Sequence, residues 1–417
     1  MANLMDYLNW RGDLPLSTVP FGEVDNLIFS KMTYVDLLPI LPEYGSGGTM
    51  ALGEAARRYG ISQSVQKQSM GLLIPVEIPD MFLQMGKCER YRSLLLSDYV
   101  NSIDTQRQEQ FSAVTVFIST DEMLIVFRGT DDTLVGWKEN FNMSHVTAVP
   151  AQLEAVRYVN AVMARCPHRR VTLCGHSKGG NLAIYAAVHC KEEYKERIVC
   201  VYNNDGPGFR KEFLESPQYC KMQSKIRTLI PQSSVVGRLL EHDDNYTVVK
   251  STADGLWQHN GFSWEVMGGS FVPEGELTRE SRMIEQSVKK WIDSMSEQDR
   301  EAFVNALYRF LTTTNAATLT ELTSERTWLF KLFRASDAET RKTLFGGLAQ
   351  LTGEAGRLWA ETILPAIRMK ASGINLGAAQ SKPKAPQGED GDADLAENAS
   401  DATPPEQIPT DDEPKKG

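Results

Sequence analysis

The sequence has no C-x-x-C among its six cysteines, no apolar run near the roughly 18 residues of a membrane span, and no surplus of basic charge. Each absence excludes a class. Cys88, Cys166, Cys174, Cys190, Cys200 and Cys220 lie scattered, several in apolar strand or helix contexts, so buried free thiols are expected rather than metal ligands or disulfides. With 44 basic against 54 acidic residues the net charge is -10, which argues against nucleic acid as a partner. Neither a membrane-spanning segment nor the basic-then-apolar order of a signal peptide is seen, the start reading MANLMDYLNW, so a cytoplasmic location is expected.

At 417 residues the chain has room for a large core and more than one folded unit. Residues 1–273 read as one α/β domain. Its first part, to about Gln110, looks mostly helical, with Asp25 to Ile40 and Tyr91 to Ile103 as helical stretches around a Gly-rich break at Gly45 to Gly48. Strands then alternate with helices: strands at Ala113 to Ser119, Met123 to Phe127, Val171 to Cys174, Ile198 to Tyr202, Ile226 to Ile230 and Tyr246 to Lys250, with helices at Gln152 to Arg165 and after Gly180. That alternation predicts a mainly parallel sheet covered on both faces. Residues 274–370 read as a helical region, with Ser296/Asp299 and Ser336/Glu339 as capping-box starts. In 371–417 ten carboxylates stand against four lysines, with no aromatic residue and too little apolar surface to offset chain entropy, so a disordered acidic tail is expected.

The stretch VTLCGHSKGGNLAIYAAV, Val171 to Val188, carries the chemistry. An apolar strand runs into Gly175-His176-Ser177-Lys178-Gly179 and then into a helix face of Leu182, Ala183, Ala186 and Ala187. G-x-S-x-G allows a turn sharp enough to lift a serine clear of the sheet edge, because side chains two positions either side would collide. The N–H of Lys178 would then sit at a helix start, where an oxyanion is stabilised. By chance alone the bare pattern would occur in roughly one chain in eight of this length, so the flanking strand and helix carry the weight.

A nucleophilic Ser177 needs a base after it in sequence. His189 lies about three turns along the following helix and His242 precedes a strand, whereas His259, in LWQHNGFSW, follows the last strand in a Gly-rich loop. For the orienting acid, Asp205 ends the strand VYNND before Gly206 and Pro207, and Glu241 to Asp244 is the alternative stretch. Thr130, at the end of the strand Met123 to Phe127, is the second oxyanion donor through its N–H. No metal or organic cofactor is implied.

IVFRGTDDTLVGWKENF, Ile125 to Phe141, resembles the F-R-G-T/S segment of the class 3 (fungal-type) lipases, and VTLCGHSKGGNLA resembles their G-H-S-x-G-G elbow. The resemblance implies an α/β-hydrolase fold in a bacterial branch of that group, with Thr130 as oxyanion residue, Ser177 as nucleophile and His259 as base. The family's aspartate would fall near Ser233 or Ser234; Asp205 instead is similar to the acid of pancreatic-type lipases. Lys178 stands where the family usually has an apolar residue. The expected activity is a serine hydrolase cleaving an acyl ester, small or lipid. The alternatives are a thioesterase or amidase, or an idle hydrolase fold serving as an interaction scaffold. Oligomeric state is not read from the sequence.

Overall fold

The structure, a computed structural model, describes residues 1–65, 70–324 and 327–349. Met1–Ile374 forms one compact unit, and the second, Asn375–Gly417, lies outside the described residues together with the expected disordered tail 371–417 and positions 350–370 of the helical region.

Eight strands form one sheet in chain order: β1 (Thr49–Ala51), β2 (Leu95–Asp104), β3 (Glu109–Phe117), β4 (Glu122–Phe127), β5 (Arg170–His176), β6 (Ile198–Asn204), β7 (Ile226–Pro231) and β8 (Tyr246–Val249). Pairing is antiparallel from β1 to β4 and parallel from β4 to β8. Before and between the antiparallel strands come α1 (Leu4–Arg11), α2 (Glu23–Met32), α3 (Leu52–Val65) and α4 (Ile78–Met85). The crossovers carry α5 (Leu134–Asn142), α6 (Pro150–Arg165), α7 (Lys178–His189), α8 (Glu192–Lys195), α9 (Lys211–Leu214) and α10 (Pro217–Met222).

A parallel sheet that grows in one direction through crossovers of one hand puts its crossover helices on one face. Here α6, α7 and α10 share a core with Met123, Ile125, Phe127 and Leu173. The opposite face needs another cover, and the amino-terminal helices supply it: Leu27, Ile28 and Met32 of α2 pack with Leu124, Val126 and Cys174. With both faces buried, β4 reads as the unbroken apolar run MLIVF rather than as an alternation. This is the α/β-hydrolase arrangement expected from the sequence, with helices on both sides of a mainly parallel sheet.

Two expected helices are corrected. Tyr91 to Ile103 is not helical, because β2 occupies Leu95–Asp104. A bulge between Ser97 and Val100, with Asp98 at φ 51°, shifts the register by one residue. The shift spaces Leu96, Tyr99 and Ile103 at three and four positions, so a bulged strand imitates a helix face. The helix at Asp25 ends at Met32 rather than Ile40, and hydrogen-bonded turns such as Leu41 N–H to Leu37 O (2.9 Å) replace its last part. Pro39 and Pro42 disfavour helical geometry just there.

Beyond the sheet lie α11 (Arg279–Asp293), α12 (Glu297–Thr312), α13 (Leu319–Thr323), α14 (Trp328–Ala335) and α15 (Ala338–Ala349). Ser296 caps α12 by accepting from Asp299 N–H (3.1 Å). At α15 the capping residue is Asp337, which accepts from Thr340 N–H (2.7 Å), whereas the Ser336 hydroxyl turns back to Phe333 O. Phe303, Val304, Phe310 and Leu332 of these helices close a small core with Leu134 of α5.

Candidate active site

From Leu173 to Val188 every residue is buried except Ser177. The sequence dictates this locally. β5 ends at His176, α7 starts at Lys178, and Ser177 between them takes φ 59° and ψ -133°, outside the regions favoured by L-residues. Such a turn holds only if its flanks approach without side chains. A methyl on Gly175 would meet the Gly179 backbone at 2.1 Å, and one on Gly179 would meet Phe127 O at 2.2 Å. The turn is tied down further by Ser177 N–H to Asn204 O (2.9 Å).

β6 delivers the carboxylate. Asp205 is fully buried at φ 51°, and its Oδ2 lies 2.6 Å from His259 Nδ1. Its Oδ1 accepts from Ser234 Oγ (2.5 Å) and from Gly237 N–H (3.1 Å). The pair is asymmetric: the carboxylate has no exposure, while the His259 side chain is 25% exposed and its Nε2 is left unclaimed by Asp205. The His259 ring lies over that of His176, centroids 4.5 Å apart, beside the elbow. Ser177, His259 and Asp205 thus converge at the carboxyl edge of the parallel strands, where α/β sheets keep their ligand crevices. No hydrogen bond joins Ser177 Oγ to His259 among the described residues, a looseness common in unliganded hydrolytic sites.

Thr130 and Lys178 flank the same point. The turn after β4 passes close to the elbow, since a methyl on Gly129 would lie 3.1 Å from Ser177 Cβ. Thr130 Oγ1 accepts from Asn140 Nδ2 (2.5 Å), which leaves the hydroxyl proton free to donate. Neither the Thr130 nor the Lys178 N–H donates to another group among the described residues. The Lys178 side chain does not face the crevice. It is fully buried, with Nζ 2.9 Å from Glu139 Oε2 and 2.6 Å from Gln110 O. Glu139 also accepts from the N–H groups of Gln110 and Ala151, so both ends of this ion pair are satisfied.

A family model described as Mbeg1-like matches residues 85–309, more than half of the sequence. The chain belongs to the Mbeg1-like family. No curated protein matches it. Among solved structures it is similar to a Rhizomucor miehei lipase propeptide complex, at 15% identity and a TM-score of 0.31, over 48% of this chain and 66% of that one. It is similar also to Lip2 lipase from Yarrowia lipolytica (11% identity, TM-score 0.29, 46% and 76% covered) and to lipase II from Rhizopus niveus (14%, 0.28, 48% and 76%). The bacterial placement rests on the motif resemblance alone.

The two rival candidates for the base in this Mbeg1-like chain, His189 and His242, do not contact Ser177. His189 packs on Tyr185 near the far end of α7, and His242 is half-buried, its basicity pushed down to about 3 chiefly by desolvation. The alternative acids also lie apart: Glu241 pairs with Lys289, and Asp243 accepts from Tyr219 and Gln223. The sequence of Pro207 to Lys225, with Phe209, Phe213, Leu214 and Tyr219 among charges, suits either a short amphipathic cap over Ser177 or an ordinary crossover, and the structure makes it the crossover between β6 and β7. Its Phe213 stacks on Phe209 (4.1 Å) and Tyr185 (5.6 Å), eight residues along α7 from the elbow, or about 12 Å of helix. Sequence reading missed Asn140, Ser234, Glu139 and Lys31. Asn140 and Glu139 both had a local signal, within the KENF end of the lipase-like segment, and the resemblance names Ser234 only as a place for the family's acid. Among the described residues no group of three or more His, Cys, Asp or Glu is placed to hold a metal, and no helix is long and apolar enough to cross a membrane.

Proposed function

We propose that this protein is a serine hydrolase acting on acyl esters, with Ser177 as nucleophile, His259 as general base and Asp205 as the orienting acid. The observation that carries this reading is the 2.6 Å contact between His259 Nδ1 and Asp205 beside the strained, half-buried Ser177. With Nδ1–H donated to Asp205, the neutral imidazole presents its Nε2 lone pair. His259 takes the Ser177 proton as Oγ attacks the acyl carbonyl carbon. The oxyanion is held by the N–H groups of Thr130 and Lys178, with the Thr130 hydroxyl in support. Collapse expels the alcohol, which leaves with the proton from His259. Water, deprotonated by the same histidine, then releases the acid from the acyl-enzyme. Because the Lys178 ammonium is withdrawn beneath the site, the crevice gains no cation from that position, which supports an uncharged acyl substrate.

The test is a fluorophosphonate probe together with a short-chain p-nitrophenyl ester. Wild type is expected to be labelled at Ser177 and to hydrolyse the ester, and Ser177→Ala to do neither. Absence of labelling, under conditions where a control esterase reacts fully, would leave the interaction-scaffold reading in its place.

A further inference from the structure

Lys31, in the last turn of α2, is a lysine with 1% exposure. Its Nζ lies 3.0 Å from His176 Nε2, and no carboxylate comes within ion-pair distance of it among the described residues. The same His176 Nε2 lies 2.8 Å from the backbone oxygen of His259. One ring nitrogen therefore faces both an amine and a carbonyl.

These contacts constrain the protons. Burial holds the His176 imidazole far below its usual basicity, so it is neutral and carries one N–H. If that hydrogen is on Nε2 it donates to His259 O, and Nζ can then only accept a share of it, which needs a lone pair. An ammonium has none. If Lys31 is an ammonium it must donate to a bare Nε2. The His259 carbonyl then faces a lone pair at 2.8 Å, and the ring hydrogen moves to Nδ1, which is buried and has no partner. Charged Lys31 and a fastened His259 carbonyl exclude each other.

We propose that Lys31 is a positioning residue that works as an uncharged amine, leaving His176 free to latch the backbone of the His259 loop. The loop is then held twice, at its side chain by Asp205 and at its carbonyl by His176. The assignment of His259 as base rests on the hydrolase reading. Desolvation lowers the lysine to about 7, against the pull of Asp205 from the end of β6 and of Glu77 ahead of α4. Neutral His176 faces the amine, and Gly261 of the His259 loop approaches it, since a methyl there would lie 3.0 Å from Lys31 Cε. Protonation below about pH 7 would release the latch.

The test compares wild type, Lys31→Met, which cannot charge, and Lys31→Arg, which cannot discharge. Ser177 labelling and kcat/KM are followed from pH 5 to 9, with melting temperature as the folding control. Lys31→Met is expected to match wild type within about threefold at pH 8 and to carry its acid limb at lower pH. Lys31→Arg should be slower by at least about tenfold at every pH. If Lys31 acted only as a cation depressing the basicity of His259, its removal would move the acid limb of the Met variant upward. That result, or identical profiles for Met and Arg, overturns the proposal. A second readout needs no activity. In ¹⁵N-histidine spectra of wild type, His176 should carry its hydrogen on Nε2 at pH 8 and shift toward Nδ1 below pH 7. An Nδ1–H tautomer at pH 8 refutes the latch, whereas an unlabelled wild type with the expected tautomer refutes only the hydrolase reading.

Discussion

Asp205 stands one strand away from the place where the resembled lipases would keep their acid, and the serine at that place, Ser234, donates its hydroxyl to Asp205 Oδ1. The later loop has become a support for a carboxylate on the earlier strand. Removing the carboxylate charge removes what fixes the imidazole tautomer. Asp205→Asn is therefore expected to lower turnover by about 10⁴-fold with the fold retained. Ser234→Ala withdraws one of two hydrogen bonds from Oδ1 and should cost roughly tenfold. Glu241→Gln and Asp243→Asn, whose partners are Lys289 and Tyr219, should leave kcat/KM nearly unchanged. A near-normal rate for Asp205→Asn, with collapse in either of the others, would move the acid to the later loop. Ser177, His259, Asp205 and Thr130 could be named as candidates beforehand because chain order and strand ends restrict each to few positions. Lys31 and the contact from Ser234 to Asp205 could not, since the partners lie 145 and 29 positions away and no local pattern announces a buried polar contact.

At the scale of elements, the strands from β4 to β8 were readable because short apolar-rich stretches alternate with helical segments, most plainly at β4, where burial on both faces writes an unbroken run. β2 was not, because its bulge converts a period of two into spacings of three and four. The segment carrying α9 and α10 was ambiguous for another reason: an amphipathic stretch between two strands looks the same whether it covers a site or crosses under a sheet. The packing decides for the crossover. Phe213 contacts Tyr185 and His189 on α7 and Tyr219 on α10, all remote from Ser177. Phe213→Ala is thus expected to cost about 2 kcal/mol of stability, less than a fully buried Phe→Ala because the ring is half-buried. It should slow hydrolysis of long-chain and acetate esters by the same factor. A selective loss on long chains would return the segment to a role over the site.

For the whole molecule, the helices from α11 onward act on the site from behind. Leu134 of α5 is buried in their core, and α5 also carries Asn140, which holds Thr130, and Glu139, which neutralises Lys178. At the start of α11, Ser281 Oγ donates to Ser234 O (2.6 Å) and Thr278 N–H to Gln232 O (2.8 Å), so this helix grips the loop whose serine holds Asp205. Both sides of the crevice are therefore braced by residues beyond 273. A chain ending at residue 273 would expose the apolar face of α5 and lose both grips. It should either fail to stay soluble or melt at least about 10 °C lower, since a loss of only a few kcal/mol moves the midpoint of a domain this large by that much. Its Ser177 labelling should fall with it. A chain ending at residue 370 loses only the acidic segment, whose composition offers no aromatic and few large apolar side chains to bury, and should keep melting temperature and labelling within error of the full chain. A 1–273 chain that melts and labels like the full protein would show that the brace is dispensable, and that the helices serve some purpose other than holding the site.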